Sequence, residues 1–388
     1  MKRKGEEMPQ GATIKKSYYY NIFSDMNDYP DAWCYMAVGG RNTGKTYSGL
    51  RGCYEKKIPF IFVKRTNDDV DLMCSGSGSL KKSKKDSKTL IEDMDVDFSP
   101  FKSINRDLGI NVEAFKIQKG IGGFWDTEED PESGKSIPKG KPIGYIVSLH
   151  RVADVKGFDL SDADFLIFDE FIPQPWQRID RKEGEALMEL YKTVSRDREH
   201  RGRGPLKLLL FANAVSVANP TSNILEVTDI VAEMDMMNIE YHFIEDRGIL
   251  IHKLEASEEF MEVERKSWLY KAMGQTAWGQ MAFENSFAFD DFSTVGKEQM
   301  KGYKPVCSYI YKRKPVYIYQ RDGKYFVTTA KFTANKPQYN LDIINEQKRF
   351  YYDFQIDFRN ECINGNMVFE KYTMYQLIID YHKIFQIR

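Results

Sequence analysis

An apolar run, Trp33-Cys34-Tyr35-Met36-Ala37-Val38, leads directly into Gly39-Gly40-Arg41-Asn42-Thr43-Gly44-Lys45-Thr46, a complete G-x-x-x-x-G-K-S/T loop. No other stretch of the chain restricts the fold so much. The glycines let the backbone curl until consecutive N–H groups face inward. Lys45 then reaches the β- and γ-phosphates of a nucleotide, and Thr46 offers its hydroxyl to Mg²⁺. The helix-compatible stretch 47–56 starts with its positive dipole end toward the anion. A strand, a phosphate cradle and a helix in succession belong to a parallel α/β sheet, whose ligands collect at the carboxyl ends of the strands.

Further short apolar runs suit burial on both faces of such a sheet: Pro59-Phe60-Ile61-Phe62-Val63, residues 143–148, Phe165-Leu166-Ile167-Phe168 and Leu208-Leu209-Leu210-Phe211-Ala212. Residues 186–198 have helical spacing, with Leu187, Leu190, Tyr191 and Val194 on one side. Upstream, Tyr18-Tyr19-Tyr20-Asn21 either meets an adenine ring or simply packs. Two polar insertions interrupt the pattern, at 75–88 and 126–142. The first carries Lys81, Lys82, Lys84, Lys85 and Lys88, and these either contact a nucleic-acid phosphate backbone by sequence-blind attraction or form a solvated loop.

Beyond about residue 255 the texture changes: 258–273 reads as helix, 306–329 as a β-meander with an Asp322-Gly323 hairpin turn, and 367–386 as a closing helix. The expected organisation is a parallel-sheet domain over 1–254, a helical linker over 255–300 and a smaller α+β domain over 301–388. At 388 residues the chain is long for a single ordinary domain. It has no apolar run long enough to span a bilayer and no secretory h-region, so a cytoplasmic protein that meets no membrane is expected. Its five cysteines are scattered and include no C-x-x-C pair, which favours reduced thiols over disulfides or zinc. A net charge of −1 argues against a uniformly basic coat and leaves room for a local basic channel.

Hydrolysis of a bound triphosphate needs acids as well as a cradle. Asp169 and Glu170, at the end of the 165–168 run, supply them: Asp169 for the Mg²⁺ shell, Glu170 to orient and deprotonate the attacking water. Asn213, ending the next run, either senses the γ-phosphate or initiates a turn. Arg41, inside the loop where small residues are usual, can bridge phosphate or Glu170. Arg196, Arg198 and Lys156 are either surface cations or, in a ring, fingers that reach a neighbour's nucleotide. Two rivals remain at this level: a small-molecule or nucleotide kinase, and a non-enzymatic nucleotide-gated capsid scaffold.

Several stretches together resemble the phi29-type DNA-encapsidation ATPases of small tailed phages, which are related to terminase large subunits. They are residues 39–46 with the internal Arg41, Phe62-Val63-Lys64-Arg65-Thr66, Phe168-Asp169-Glu170-Phe171-Ile172, Val194-Ser195-Arg196-Asp197-Arg198-Glu199 and Ala212-Asn213-Ala214-Val215-Ser216 through Pro220. Gly279-Gln280-Met281 to Asn285-Ser286-Phe287 adds a further match. The resemblance implies an ASCE-type P-loop ATPase domain using ATP and Mg²⁺. It also implies a homo-oligomeric ring, a pentamer, mounted on the portal of a procapsid in the host cytoplasm, absent from the mature virion and driving double-stranded DNA inward. By position, Arg196 is the finger acting in trans and Lys156 a second cation in trans. Lys64, Lys81, Lys82, Lys84 and Lys85 are the candidate DNA contacts. The C-terminal domain is expected to be RNase H-like. Two-metal hydrolysis needs clustered carboxylates, and its first two strands carry no Asp or Glu, so a vestigial nuclease without cleavage activity is expected.

Overall fold

The computed structural model describes residues 19–74, 98–132, 136–155, 157–158, 160–177, 180–196, 198–255, 258–287 and 289–386, the side chains of Glu199 and Glu259 excepted. The chain divides into two compact units that are discontinuous in sequence. One comprises Met1–Val215 with Ile239–Ala288, the other Ser216–Asn238 with Phe289–Arg388. This differs from a division at 254 and 300. The helices Glu258–Glu264, Trp268–Met273 and Ala277–Phe283 belong to the first unit, and the second takes in Pro220–Ile224 and Thr228–Met237 from mid-chain.

The first unit is a mixed α/β structure built on a ten-stranded sheet. Its strands are β1 (Cys34–Val38), β2 (Phe60–Lys64), β3 (Val112–Gln118), β4 (Ile121–Glu129), β5 (Ser136–Pro138), β6 (Gly144–Ser148), β7 (Phe165–Asp169), β8 (Lys207–Ala212), β9 (Tyr241–Ile244) and β10 (Ile249–Lys253). Their order is β3-β4-β6-β2-β7-β8-β1-β10-β9, with β5 paired to β4. The centre, β6 through β10, is parallel, as the apolar runs require. Antiparallel strands close both edges. Phe62, Ile167, Leu209 and Ala37 are fully buried, and each large apolar side chain among them stabilises the fold by roughly 1.5–3 kcal/mol.

Helix α1 (Ile22–Asp28) starts at Asn21, whose side chain accepts from the Phe23 N–H, and α2 (Lys45–Lys56) follows the loop after β1. Two elements depart from the sequence reading. Most of the stretch 126–142 is not a structureless insertion: β4 runs on to Glu129 and pairs with β5, and these residues face solvent, so their polarity hid the strand. The helical stretch 258–273 is broken in two because Ser267 caps a new helix, its hydroxyl accepting from the Tyr270 N–H.

The second unit holds a five-stranded sheet in the order β14-β11-β12-β13-β15. Strands β11 (Lys304–Tyr311), β12 (Lys314–Arg321) and β13 (Lys324–Thr328) form the expected meander, and β14 (Gln338–Asn340) and β15 (Met367–Phe369) flank it in parallel. Both meander turns place two residues at positive φ, Lys312-Arg313 at 50° and 62° and Asp322-Gly323 at 51° and 81°. That is the twist two-residue hairpins favour. The C-terminal tail is a strand first and only then helix, Tyr372–Ile379 and Tyr381–Phe385. Asp290, its carboxyl pushed up by burial, accepts from Ser216 Oγ, the Val217 N–H and Tyr372 OH at 2.8–3.0 Å. The Thr373 N–H and hydroxyl both donate to Asp229 at 2.9 Å. All five cysteines are free and buried, and among the described residues no helix is long and apolar enough to cross a membrane.

Candidate nucleotide site

Register alone assembles the site. Val63 pairs with Phe168, Asp169 with Phe211, and Val38 with Ala212, so four parallel strands end side by side. Lys64 and Asp169 therefore share a row with Phe211 and Ala37, and Asn213 and Gly39 follow two positions further on. Arg41, Asn42, Thr43, Gly44, Lys45, Thr46, Asp169, Glu170 and Asn213 line a common cleft of about 330 Å³.

The cradle bends at Gly44, whose φ of +86° is open to glycine and whose missing Cβ would stand 3.2 Å from the Tyr19 side chain. Lys45 Nζ donates to the carbonyls of Gly39 (3.1 Å) and Gly40 (2.8 Å) and to Thr43 Oγ1 (3.0 Å). Burial lowers its pKa to about 8, against an opposing pull from Asp169. Thr46 Oγ1 donates to Asp169 Oδ1 at 2.8 Å, and Lys64 Nζ lies 3.8 Å from Asp169 Oδ2. A hydroxyl and a carboxylate brought together at the start of a helix are the hard oxygen donors Mg²⁺ takes, so the residues present fit that ion.

Glu170 is exposed at the end of β7, with its backbone at φ +60°. Its carbonyl accepts from Arg65 Nη2 at 3.0 Å, as the Phe171 carbonyl does at 3.2 Å. Arg65 is itself fixed. Thr66, next in sequence, caps the helix Asn67–Met73 in a reciprocal box with Asp69, and buried Glu183 takes the guanidinium at 2.6 and 3.0 Å.

Residues 277–285 brace the loop, and nothing in their composition signals this role. The Arg41 N–H donates to the Ala282 carbonyl at 2.9 Å, and its guanidinium lies 5.9 Å from the centre of the Trp278 ring. Asn285 Nδ2 donates to the carbonyls of Val38 (3.1 Å) and Leu254 (2.5 Å). On the other side the Tyr20 N–H donates to the Thr43 carbonyl at 2.9 Å. The Tyr20 hydroxyl is engaged with Asp25 at 2.7 Å and the ring packs edge-on against His252, so Tyr20 buttresses the cradle.

The other expected residues lie elsewhere. Arg196 is exposed at the end of the helix Glu183–Ser195 and does not line this cleft. Arg198 is buried, bound to the Ala163 carbonyl and Asp164 Oδ1 at 2.5 Å each, an anchor and not a free finger. Lys64 is mostly buried, its Nζ beside Asp169. Lys156, Lys81, Lys82, Lys84 and Lys85 lie outside the described residues.

A parallel sheet with a phosphate cradle between β1 and α2 and an Asp-Glu pair closing β7 against it defines a P-loop nucleotide-binding protein. Comparison with curated protein sequences finds no match. The chain belongs to the podovirus DNA encapsidation protein family (Gp16), whose profile matches residues 133–374, more than half of it. In fold it is similar, over 95% of its length and 98% of the other chain, to the Phi-28 gp11 DNA packaging motor, at 17% identity and a TM-score of 0.58. It is likewise similar to the chain of the bacteriophage Phi-29 viral genome packaging motor assembly, at 19% identity, 95% and 99% coverage and a TM-score of 0.59.

Proposed function

We propose that this chain hydrolyses ATP to drive double-stranded DNA into a procapsid, as one subunit of a homomeric ring docked on the portal in the host cytoplasm. The observation that carries the reading is the closure of Thr46 on Asp169 at 2.8 Å with Glu170 beside it in one cleft. Family membership supplies the task.

In this reading the loop amides and Lys45 hold the phosphates, and Thr46 and Asp169 hold Mg²⁺, which when bound neutralises phosphate charge. Glu170 aligns a water and takes its proton as the oxygen attacks, and Asn213 at the neighbouring strand end reports on the γ-phosphate. Arg41, steadied by Trp278, offers a guanidinium from within the loop. Arg196 acts on the adjoining subunit. This is supported by its placement: Glu183 contacts Arg65 near the carboxyl end of β7, whereas Arg198 binds the residues leading into β7. Arg196, two residues before Arg198, caps the end of the helix Glu183–Ser195 far from Glu183 and is not among the residues lining its own cleft. Lys156 is a second cation in trans, and Lys81, Lys82, Lys84 and Lys85 touch DNA phosphates without reading bases. The ring is a pentamer, and the C-terminal unit a vestigial RNase H-like nuclease that docks or contacts DNA without cutting it and leaves with the motor before the virion matures.

The experiment is the rate of Mg²⁺-dependent ATP hydrolysis with and without double-stranded DNA. Hydrolysis that rises on adding DNA is expected. Phosphoryl transfer to an added acceptor, or no hydrolysis with DNA and portal present, overturns the reading.

A further inference from the structure

Glu170 holds a left-handed backbone conformation, φ +60°, that is unfavourable for a residue with a Cβ. Beside the Phe171 N–H bond to the Phe211 carbonyl at 3.2 Å, one side chain holds that turn. Arg65 spends its guanidinium on the turn just past β7: Nη2 on the carbonyls of Glu170 and Phe171, Nε and Nη2 on the two oxygens of Glu183, and Nη1 on Gln177 Oε1 at 3.4 Å. The ring of Phe168 lies beneath it, 5.7 Å from centroid to guanidinium carbon. Arg65 is 8% exposed and Glu183 4%.

A buried ion pair is a poor way to add stability, because desolvating two charges offsets most of their attraction. What this pair does supply is direction. A planar fork satisfies a carboxylate and two carbonyls at once, which a lysine ammonium does not reproduce. Both charges also sit on rigid elements, Arg65 at the end of β2 between its ladder and a helix cap, Glu183 in the first turn of a helix whose dipole favours an acid there.

We infer that Arg65 and Glu183 are positioning residues: they fix the left-handed turn at Glu170 and so aim its carboxylate into the cleft. The inference rests on Glu170 being the base proposed above. It assigns no contact with nucleotide to either residue.

The test is steady-state ATPase kinetics of the full chain for Arg65→Lys, for the double variant Arg65→Met/Glu183→Leu, and for Glu170→Gln. The double variant removes both charges together, so no uncompensated charge stays buried. It should keep its thermal transition and bind nucleotide within about threefold of the parent while kcat falls by about tenfold or more. Arg65→Lys should retain the pairing and the KM but not the kcat. A folded double variant, or an Arg65→Lys chain, with parental kcat overturns the inference. Should the double variant fail to fold, Arg65→Lys alone decides. Glu170→Gln separates the two levels. Parental turnover there removes the reading of Glu170 and this inference with it, whereas an inactive Glu170→Gln beside fully active Arg65 variants removes this inference alone.

Discussion

The Thr46 hydroxyl donates to Asp169 Oδ1 at 2.8 Å across 123 residues of sequence. The two groups satisfy one another, and in the proposed reading both would hold Mg²⁺. Asp169→Asn keeps a hydrogen-bond partner for Thr46 and removes the charge the ion needs. The expected result is a shift of half-maximal ATPase activity to about tenfold or more higher Mg²⁺, read from a Mg²⁺ titration at saturating ATP.

Glu170→Gln preserves shape and abolishes proton acceptance. Nucleotide affinity should stay within a few-fold of the parent, while kcat drops by about 10²–10⁴, the usual worth of a general base. Equilibrium nucleotide binding and single-turnover hydrolysis on the same preparation check the two halves separately.

Lys45 is charged, buried and, without phosphate, held by carbonyls and a hydroxyl alone. Its folded pKa, about 8, lies below the usual 10.5. Below about pH 8 both folded and unfolded chains carry the proton, and burying the charge opposes folding. Between about 8 and 10.5 the unfolded chain binds more protons than the folded one, so this group's contribution to stability rises with pH. Lys45→Met should therefore stabilise the nucleotide-free chain at pH 7.5 by on the order of 1–2 kcal/mol and abolish nucleotide binding, the gain shrinking toward pH 10. Denaturant unfolding at both pH values is the measurement, and a less stable variant at pH 7.5 contradicts it.

On the proposed trans role, Arg196→Ala leaves its own cleft intact and deprives the neighbour. Mixed with unmodified chains, it should depress ATPase activity below the weighted mean of the two pure samples. A strictly proportional decline would place Arg196 outside the reaction.

Gly279 lies in the brace, where a Cβ would meet the Met273 carbonyl oxygen at 2.1 Å. Gly279→Ala must displace this segment, and with it the Ala282 carbonyl that holds the Arg41 N–H. A lower thermal transition and a raised KM for ATP, by several-fold, are expected. An unchanged KM would detach the brace from nucleotide binding.

The cradle, the Asp-Glu pair and the buried strands were legible because each couples a strong local signal to a single backbone role. An apolar run that ends in Gly39 or Asp169 has few alternatives in a parallel sheet. Arg65 and Glu183 were not legible as a pair, since 118 residues separate them and each looks like an ordinary surface charge. Trp278 and Asn285 escaped for a similar reason: Trp278 meets the Arg41 guanidinium and Asn285 the Val38 and Leu254 carbonyls, partners distant in sequence that leave no mark in composition. Strand β5 was masked by its polarity, because an exposed edge hairpin needs no apolar alternation. In the Val194–Glu199 stretch, spacing could not tell the exposed Arg196 from Arg198, whose guanidinium is spent on Asp164 and the chain leading into β7.

The second unit borrows 216–238 from the middle of the first, so the polypeptide crosses between them at 215–216, 238–239 and 288–289. A fragment starting at 289 would forfeit the Asp229 bonds to Thr373 and the Ser216 and Val217 bonds to Asp290. The first crossing begins two residues after Asn213, at the rim of the cleft. A fragment ending at 215 would likewise lose β9 and β10, the strands that close the sheet beside β1.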